Sequence, residues 1–213
     1  MTHEEMNVHQ ALTELKTLES RIEKGITSQE WVAVAKASSE TVRGVARKEW
    51  IDRAKDNYRS VIDLIRRRDA IKRAVVNSNA VTKVVIAGKE YTVAEAIDKK
   101  NHSIEFLERF RRRIQHDYTV CRDAVVAENG DRLELRADQY IRSLIGNTDT
   151  KGMSAEIEKM RKEFIDKQKF ELVDPIKALD VIKILDNEME SFMRDVDSIL
   201  STSNALTKIV VDY

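Results

Sequence analysis

Two runs of three consecutive arginines, Arg66-Arg67-Arg68 and Arg111-Arg112-Arg113, are the residues of this chain best suited to ligand chemistry. A guanidinium offers a planar fork of donors that fits phosphate or carboxylate oxygens two at a time. Three successive residues sweep about 200° of a helix, so at least one arginine of each run must turn toward a neighbour. Two partners are open: the carboxylates of a packed helix, or a small anionic, nucleotide-like ligand. The charge distribution bears on the choice. From Arg43 to Arg73 there are eleven basic and five acidic side chains, a local net of +6, and from Gly152 to Leu200 eight basic and twelve acidic, a net of −4. A basic second helix packing on an acidic last helix, within one molecule or between subunits, would satisfy both segments.

Other chemistries find less support. Over the whole chain 37 Lys and Arg balance 37 Asp and Glu, which argues against a general polyanion binder. Nucleic-acid binding also wants exposed aromatic rings among the cations, whereas Tyr58, Phe106, Phe110 and Tyr118 stand at core spacing. A di-iron bundle needs Glu-x-x-His pairs, but Lys99 and Arg113 precede His102 and His116 by three. Four scattered histidines and one cysteine do not make a zinc site. Ala87-Gly88-Lys89-Glu90 reads as a hairpin turn and not as a phosphate loop, and there is no Gly-x-Ser-x-Gly elbow. Glu156, Glu158, Glu163 and Asp166, or Asp180, Asp186, Glu188 and Glu190, read as solvated helix faces. Cys121 lies on an apolar stripe and is expected to be a buried structural residue. No catalytic residue, metal ligand or cofactor site is assigned. The chain is expected to be non-enzymatic, with a hydrolase built on an unrecognised carboxylate site as the remaining enzymatic reading.

The elements that must position these residues are helical. One proline, six glycines and 6% aromatic residues fit poorly with a sandwich, a barrel or a doubly wound sheet in 213 residues. Gly25, Gly44, Gly88, Gly130, Gly146 and Gly152 separate runs with three-four apolar spacing. The first stripe is Val8, Ala11, Leu15, Leu18 and Ile22. A second helix is expected over 45–77, with Ile51, Ala54, Tyr58, Val61 and Ile65 in its seam, and a third over 93–127 through Ile97, Ile104, Leu107, Ile114, Tyr118, Cys121 and Val125. Shorter helices are expected over 132–145 and 154–170. The last should begin at Asp174-Pro175, an N-cap followed by proline at the first helical position, and run to about residue 200. In the stretch 26–44, Trp31, Val32, Val34 and Ala35 fit a short helix or a strand, Ser38-Ser39 suggests a break, and a helix is expected. Arg68, Lys100 and Arg111 interrupt apolar seams, a placement that often sets register or oligomer state. Helices of some 30 residues span about 45 Å, so a single elongated, rod-like domain over 1–213 is expected. Its sub-regions are 1–127, 128–170 (inserted shorter helices) and 171–213. No signal peptide or membrane span is expected, and one cysteine suits a reducing, cytoplasmic setting.

The strongest internal signal is a repeat. Asn77-Ser78-Asn79-Ala80-Val81-Thr82-Lys83-Val84-Val85-Ile86 matches Thr202-Ser203-Asn204-Ala205-Leu206-Thr207-Lys208-Ile209-Val210-Val211, each at the end of a long helix. Asn79 and Thr82, with Asn204 and Thr207, are its structural markers. Asparagine there suggests a left-handed helix end, and the β-branched run after it suggests a strand. After the first copy Ala87-Gly88 should turn the chain into a second strand, and Thr92-Val93-Ala94-Glu95 should cap the next helix. Strands at 81–86, 89–91 and 206–211 are expected to form one small antiparallel sheet. The fold class is therefore mainly α: an elongated, coiled-coil-like bundle of long antiparallel helices with a two- or three-stranded β element built from the repeats.

These motifs carry a resemblance. Asp63-Leu64-Ile65, Asn77 to Thr82 and Gly88 to Ile97, with Val196 to Leu200 and Ser203 to Thr207 near the end, resemble an uncharacterised, septicolysin-like all-helical family of bacteria and phages. The resemblance covers about half of the chain and departs from the family at 130–169 and 26–44. It implies long helices with a small β element, an oligomer, and a phage or prophage origin with a host-cytoplasm or virion setting. It transfers no catalytic residue. The expected function is a self-associating helical assembly or interaction protein, with a protein partner or a second copy. The alternative is a binder of a small anionic ligand through Arg66–Arg68 or Arg111–Arg113.

Overall fold

The computed structural model describes residues 3–146 and 154–213; Gly152, one of the expected break points, lies outside them. The fold is mainly α with small antiparallel two-stranded sheets. Two compact units lie within the span 1–213, one made of Met1–His102 and Ser191–Tyr213, the other of Ser103–Glu190.

In the first unit, strand β1 (His3–Asn7) leads into helix α1 (Val8–Thr27). A reciprocal capping box fixes that start: the Gln10 N–H donates to the Asn7 side chain at 2.7 Å, and the Asn7 N–H donates to the Gln10 side chain at 3.0 Å. The stripe of Val8, Ala11, Leu15 and Leu18 is buried as its spacing requires, against Ile71 and Val75 of helix α2 (Arg47–Val81). Gly25 lets α1 approach closely, since a Cβ there would lie 2.9 Å from Val61 Cγ2. Between α1 and α2 the expected helix over 26–44 is not formed. Strands β2 (Thr41–Val42) and β3 (Val45–Ala46) pair around Arg43-Gly44, both at positive φ, where Gly44 is free of the Cβ clash. The first part of the α2 seam also departs from expectation: Ile51 and Tyr58 are exposed, and burial begins at Val61.

The repeat folds as expected in each half, but its strands do not join in one sheet. β4 (Lys83–Ile86) pairs with β5 (Lys89–Thr92), and β6 (Lys208–Asp212) pairs with β1. The two pairs are built alike. Lys83 faces Thr92 as Lys208 faces Asn7; Val84 faces Tyr91 as Ile209 faces Met6. Thr92 and Asn7 are both N-caps with capping boxes, one for α1 and one for α3 (Val93–Asp98). The Lys83–Glu90 ion pair at 2.7 Å matches Lys208–Glu5 at 3.1 Å. Thr82 and Thr207 mark the switch from helix to strand: each donates its N–H back into the helix, to Ser78 and Ser203, and each carbonyl accepts from the first residue of the opposing helix, Val93 or Val8, all at 2.9 Å. Asn79 and Asn204 are helical and no left-handed residue ends either helix, because Thr82 simply becomes extended. Ile71 and Val196, each eleven residues before its threonine, are fully buried. The β1–β6 pair packs on α2 through Met6, Ile209 and Val211. At the β4–β5 pair, Tyr91 meets Phe192 of helix α7 (Ala178–Leu206) edge-on, with ring centroids 5.8 Å apart. The duplicated motif is thus helix–strand–strand–helix, with its strands joined by Ala87-Gly88 in one copy and supplied by the first and last strands in the other.

The helix expected over 93–127 is continuous but not uniformly α. A π segment, Lys99–Ser103, separates α3 from α4 (Ile104–Asn129). In the second unit, Ile114 of α4 is buried against Ala178, Ile182 and Leu185, flanked by Leu107 and Tyr118. Helices α5 (Asp131–Ile145) and α6 (Ser154–Gln168) pack together, with Tyr140 stacked on Phe164 at 4.5 Å between centroids. Pro175 is not the first residue of α7. It sits in the preceding turn, and the Asp174 carboxylate still accepts the Ala178 N–H at 2.9 Å. Two burial expectations fail on α4: Cys121 is exposed, and so are Phe106 and Phe110.

Candidate functional site

The first arginine run lies on α2 and its members have separate fates. Arg66 points to solvent and meets Asp63 at 3.4 Å, both side chains well exposed. Arg67 turns inward between α1 and β1. Its Nε donates to Glu14 at 2.5 Å and an Nη to Glu4 at 2.9 Å, while the other Nη donates to the Tyr213 hydroxyl and the guanidinium covers the Tyr213 ring at 4.6 Å. The Glu14 hydrogen bond, supported by the charges of Glu14 and Glu4, raises the Arg67 pKa further, so the group stays charged throughout. Arg68 pairs with Asp69 at 3.0 Å and Glu19 of α1 at 3.5 Å.

A groove of about 960 Å³ runs beside this run, closed on one side by Asp212 and Tyr213. It is lined by four arginines, Arg59, Arg66, Arg67 and Arg73, and by four aspartates, Asp56, Asp63, Asp69 and Asp212. Signs cancel along its walls, so the groove offers no net attraction to an anion.

The second run, on α4, resolves in the same way. Arg111 forks onto Asp186 of α7, Nε to Oδ1 at 3.0 Å and Nη to Oδ2 at 3.1 Å. Arg112 meets Glu108 at 3.2 Å and Arg113 meets Asp117 at 2.9 Å, both pairs exposed and one turn apart on the same helix. All six arginines therefore face carboxylates, and at least one in each run reaches a neighbouring element: Arg67 and Arg68 in the first, Arg111 in the second. Arg66, Arg67 and Arg68 of α2 are answered by β1, α1 and α2 itself, and none of the three meets the acidic last helix that the charge pattern suggested. The polar residues in the seams each meet a carboxylate: Arg68 reaches Glu19, Lys100 reaches Asp197 at 2.5 Å, and Arg111 reaches Asp186.

Among the described residues no three His, Cys, Asp or Glu side chains converge where a metal ion could be held, and no helix is long and apolar enough to cross a membrane. Cys121 lines a small cleft with Tyr118, Leu172 and Pro175.

The residues that sequence reasoning misplaced are on α4. Phe106 (65% exposed), Phe110 (55%), Arg113, Asp117, Val120 (52%) and Ala124 follow one another at spacings of four and three, and all are exposed. They form a second stripe about 100° round the helix from the buried one of Leu107, Ile114 and Tyr118. The signal was present in the spacing, but the neighbouring core stripe claimed the aromatics. Fold and site together define a class, a mainly α protein whose long helices end in duplicated two-stranded pairs and whose arginine runs are satisfied by carboxylates. No family model matches the chain, and no curated protein or solved structure does either.

Proposed function

We propose that this is a non-enzymatic assembly protein that associates with further copies of itself through helical faces. The carrying observation is the exposed stripe on α4, where Phe106, Phe110, Val120 and Ala124 flank Arg113 and Asp117. Scattered exposed leucines would mean nothing, since much of any protein surface is apolar. Here the exposed apolar residues stand in order along one face of α4, on both sides of a charged pair, and such ordered apolar exposure is a mark of an interaction surface. The septicolysin-like resemblance of the repeat supports the same reading and adds a bacterial or phage setting. The alternative, a small anionic ligand on Arg66–Arg68 or Arg111–Arg113, loses support from the carboxylate already placed at each guanidinium. Size-exclusion chromatography with light scattering tests the reading. A mass above one chain at micromolar concentration is expected, and a monodisperse single-chain mass would contradict it.

A further inference from the structure

Resting on the self-association reading, the geometry points to one surface for it: we propose that the outer stripe of α4 pairs antiparallel with the same stripe of a second copy.

The stripe has the four-three spacing of a coiled-coil seam, with apolar residues toward both ends and a charged pair at its centre. Its length, from Phe106 to Ala124, is about 27 Å. Two such helices related by a two-fold axis midway between Arg113 and Asp117 place every seam residue opposite a complement. Arg113 faces the partner's Asp117, and Asp117 the partner's Arg113. Phe110 faces the partner's Val120, and Phe106 the partner's Ala124, so large side chains meet small ones, the arrangement that lets facing layers interdigitate. A parallel, in-register pair fails on the same residues, because Arg113 would face arginine and Asp117 aspartate. The flank agrees. Arg109 makes no ion pair among the described residues, only a contact with the Phe106 ring at 6.0 Å, and in the antiparallel pair it lies beside the partner's Asp123. Self-complementarity of this kind belongs to a two-fold interface, where one patch meets itself, and selects a second copy over an unrelated partner.

The test is a charge swap read by analytical ultracentrifugation on the full chain, with circular dichroism to confirm that each variant is folded. Both seam charges are exposed, so Arg113→Asp and Asp117→Arg should leave the fold intact. Each single variant sets like charges opposite one another twice per dimer and is expected to weaken association at least ten-fold. The double variant R113D/D117R restores opposite signs and should recover it. Phe110→Ser, which removes an apolar contact at two symmetric places, should also weaken it at least ten-fold. If the wild type associates but the single variants do so equally well, or the double variant fails to recover, this surface is wrong while self-association stands. If the wild type is a single chain throughout, both are wrong.

Discussion

Arg67 gathers two carboxylates and a phenol around one half-buried guanidinium, while Arg66, next to it, touches a single exposed aspartate. The physics assigns them unequal weight. Exposed pairs contribute little, whereas deleting one partner of a half-buried network strands the others. Arg67→Ala should therefore lower the unfolding free energy by about 2 kcal/mol, and Arg66→Ala by less than about 0.5 kcal/mol, measured by urea unfolding. Glu95 supplies the pH dependence at this scale. The Thr92 backbone N–H at 2.7 Å, and then the Thr92 hydroxyl, donate to its carboxylate and hold its pKa below the ordinary 4.5. A depressed folded-state value means that the ionised cap stabilises above the unfolded value and that this contribution is lost as pH falls through the folded one. The difference in melting temperature between the wild type and Glu95→Gln should thus be present at neutral pH and shrink as the pH drops below 4.5. That at least one arginine per run turns toward a neighbour was legible in the sequence. Which one was not, because the choice depends on where Glu4, Glu14 and Asp186 arrive from distant segments.

At the scale of elements, the β4–β5 hairpin carries a local strain that can be removed. Ala87 sits at φ 50° before Gly88 at φ 77°, the left-handed pair of a two-residue hairpin turn that favours Asn-Gly. An alanine there pays for its Cβ, and asparagine tolerates the conformation better. Ala87→Asn should raise stability by about 0.5–1 kcal/mol, seen as a higher urea midpoint with unchanged slope. The hairpin, its turn and its capping box were legible because each has local residue chemistry. β1 was not: His3-Glu4-Glu5-Met6-Asn7 has no β-branched residue, and it becomes a strand only because β6 pairs with it. The clue is a second parallel, because Glu5-Met6-Asn7-Val8 followed by Gln10-Ala11 matches Glu90-Tyr91-Thr92-Val93 followed by Glu95-Ala96 in spacing and type. The stretch 26–44 misled for the opposite reason. Its Trp31, Val32 and Val34 look like a buried face, yet Val32 and Val34 are largely exposed.

Across the whole molecule, part of the balance of 37 cations and 37 anions is met locally, because most arginines find a carboxylate on their own or an adjacent element. What the described residues leave uncovered is the stripe on α4, with Phe106 and Phe110 at one end and Val120 at the other. Three-four spacing made the helices legible, but two stripes on one helix read as one core, and only burial separates them. Self-association is the claim that joins these observations. Sedimentation equilibrium over a range of chain concentrations tests it most directly. The account predicts a mass rising to at least twice the 24.5 kDa of one chain, and a mass fixed at 24.5 kDa across the range would contradict it.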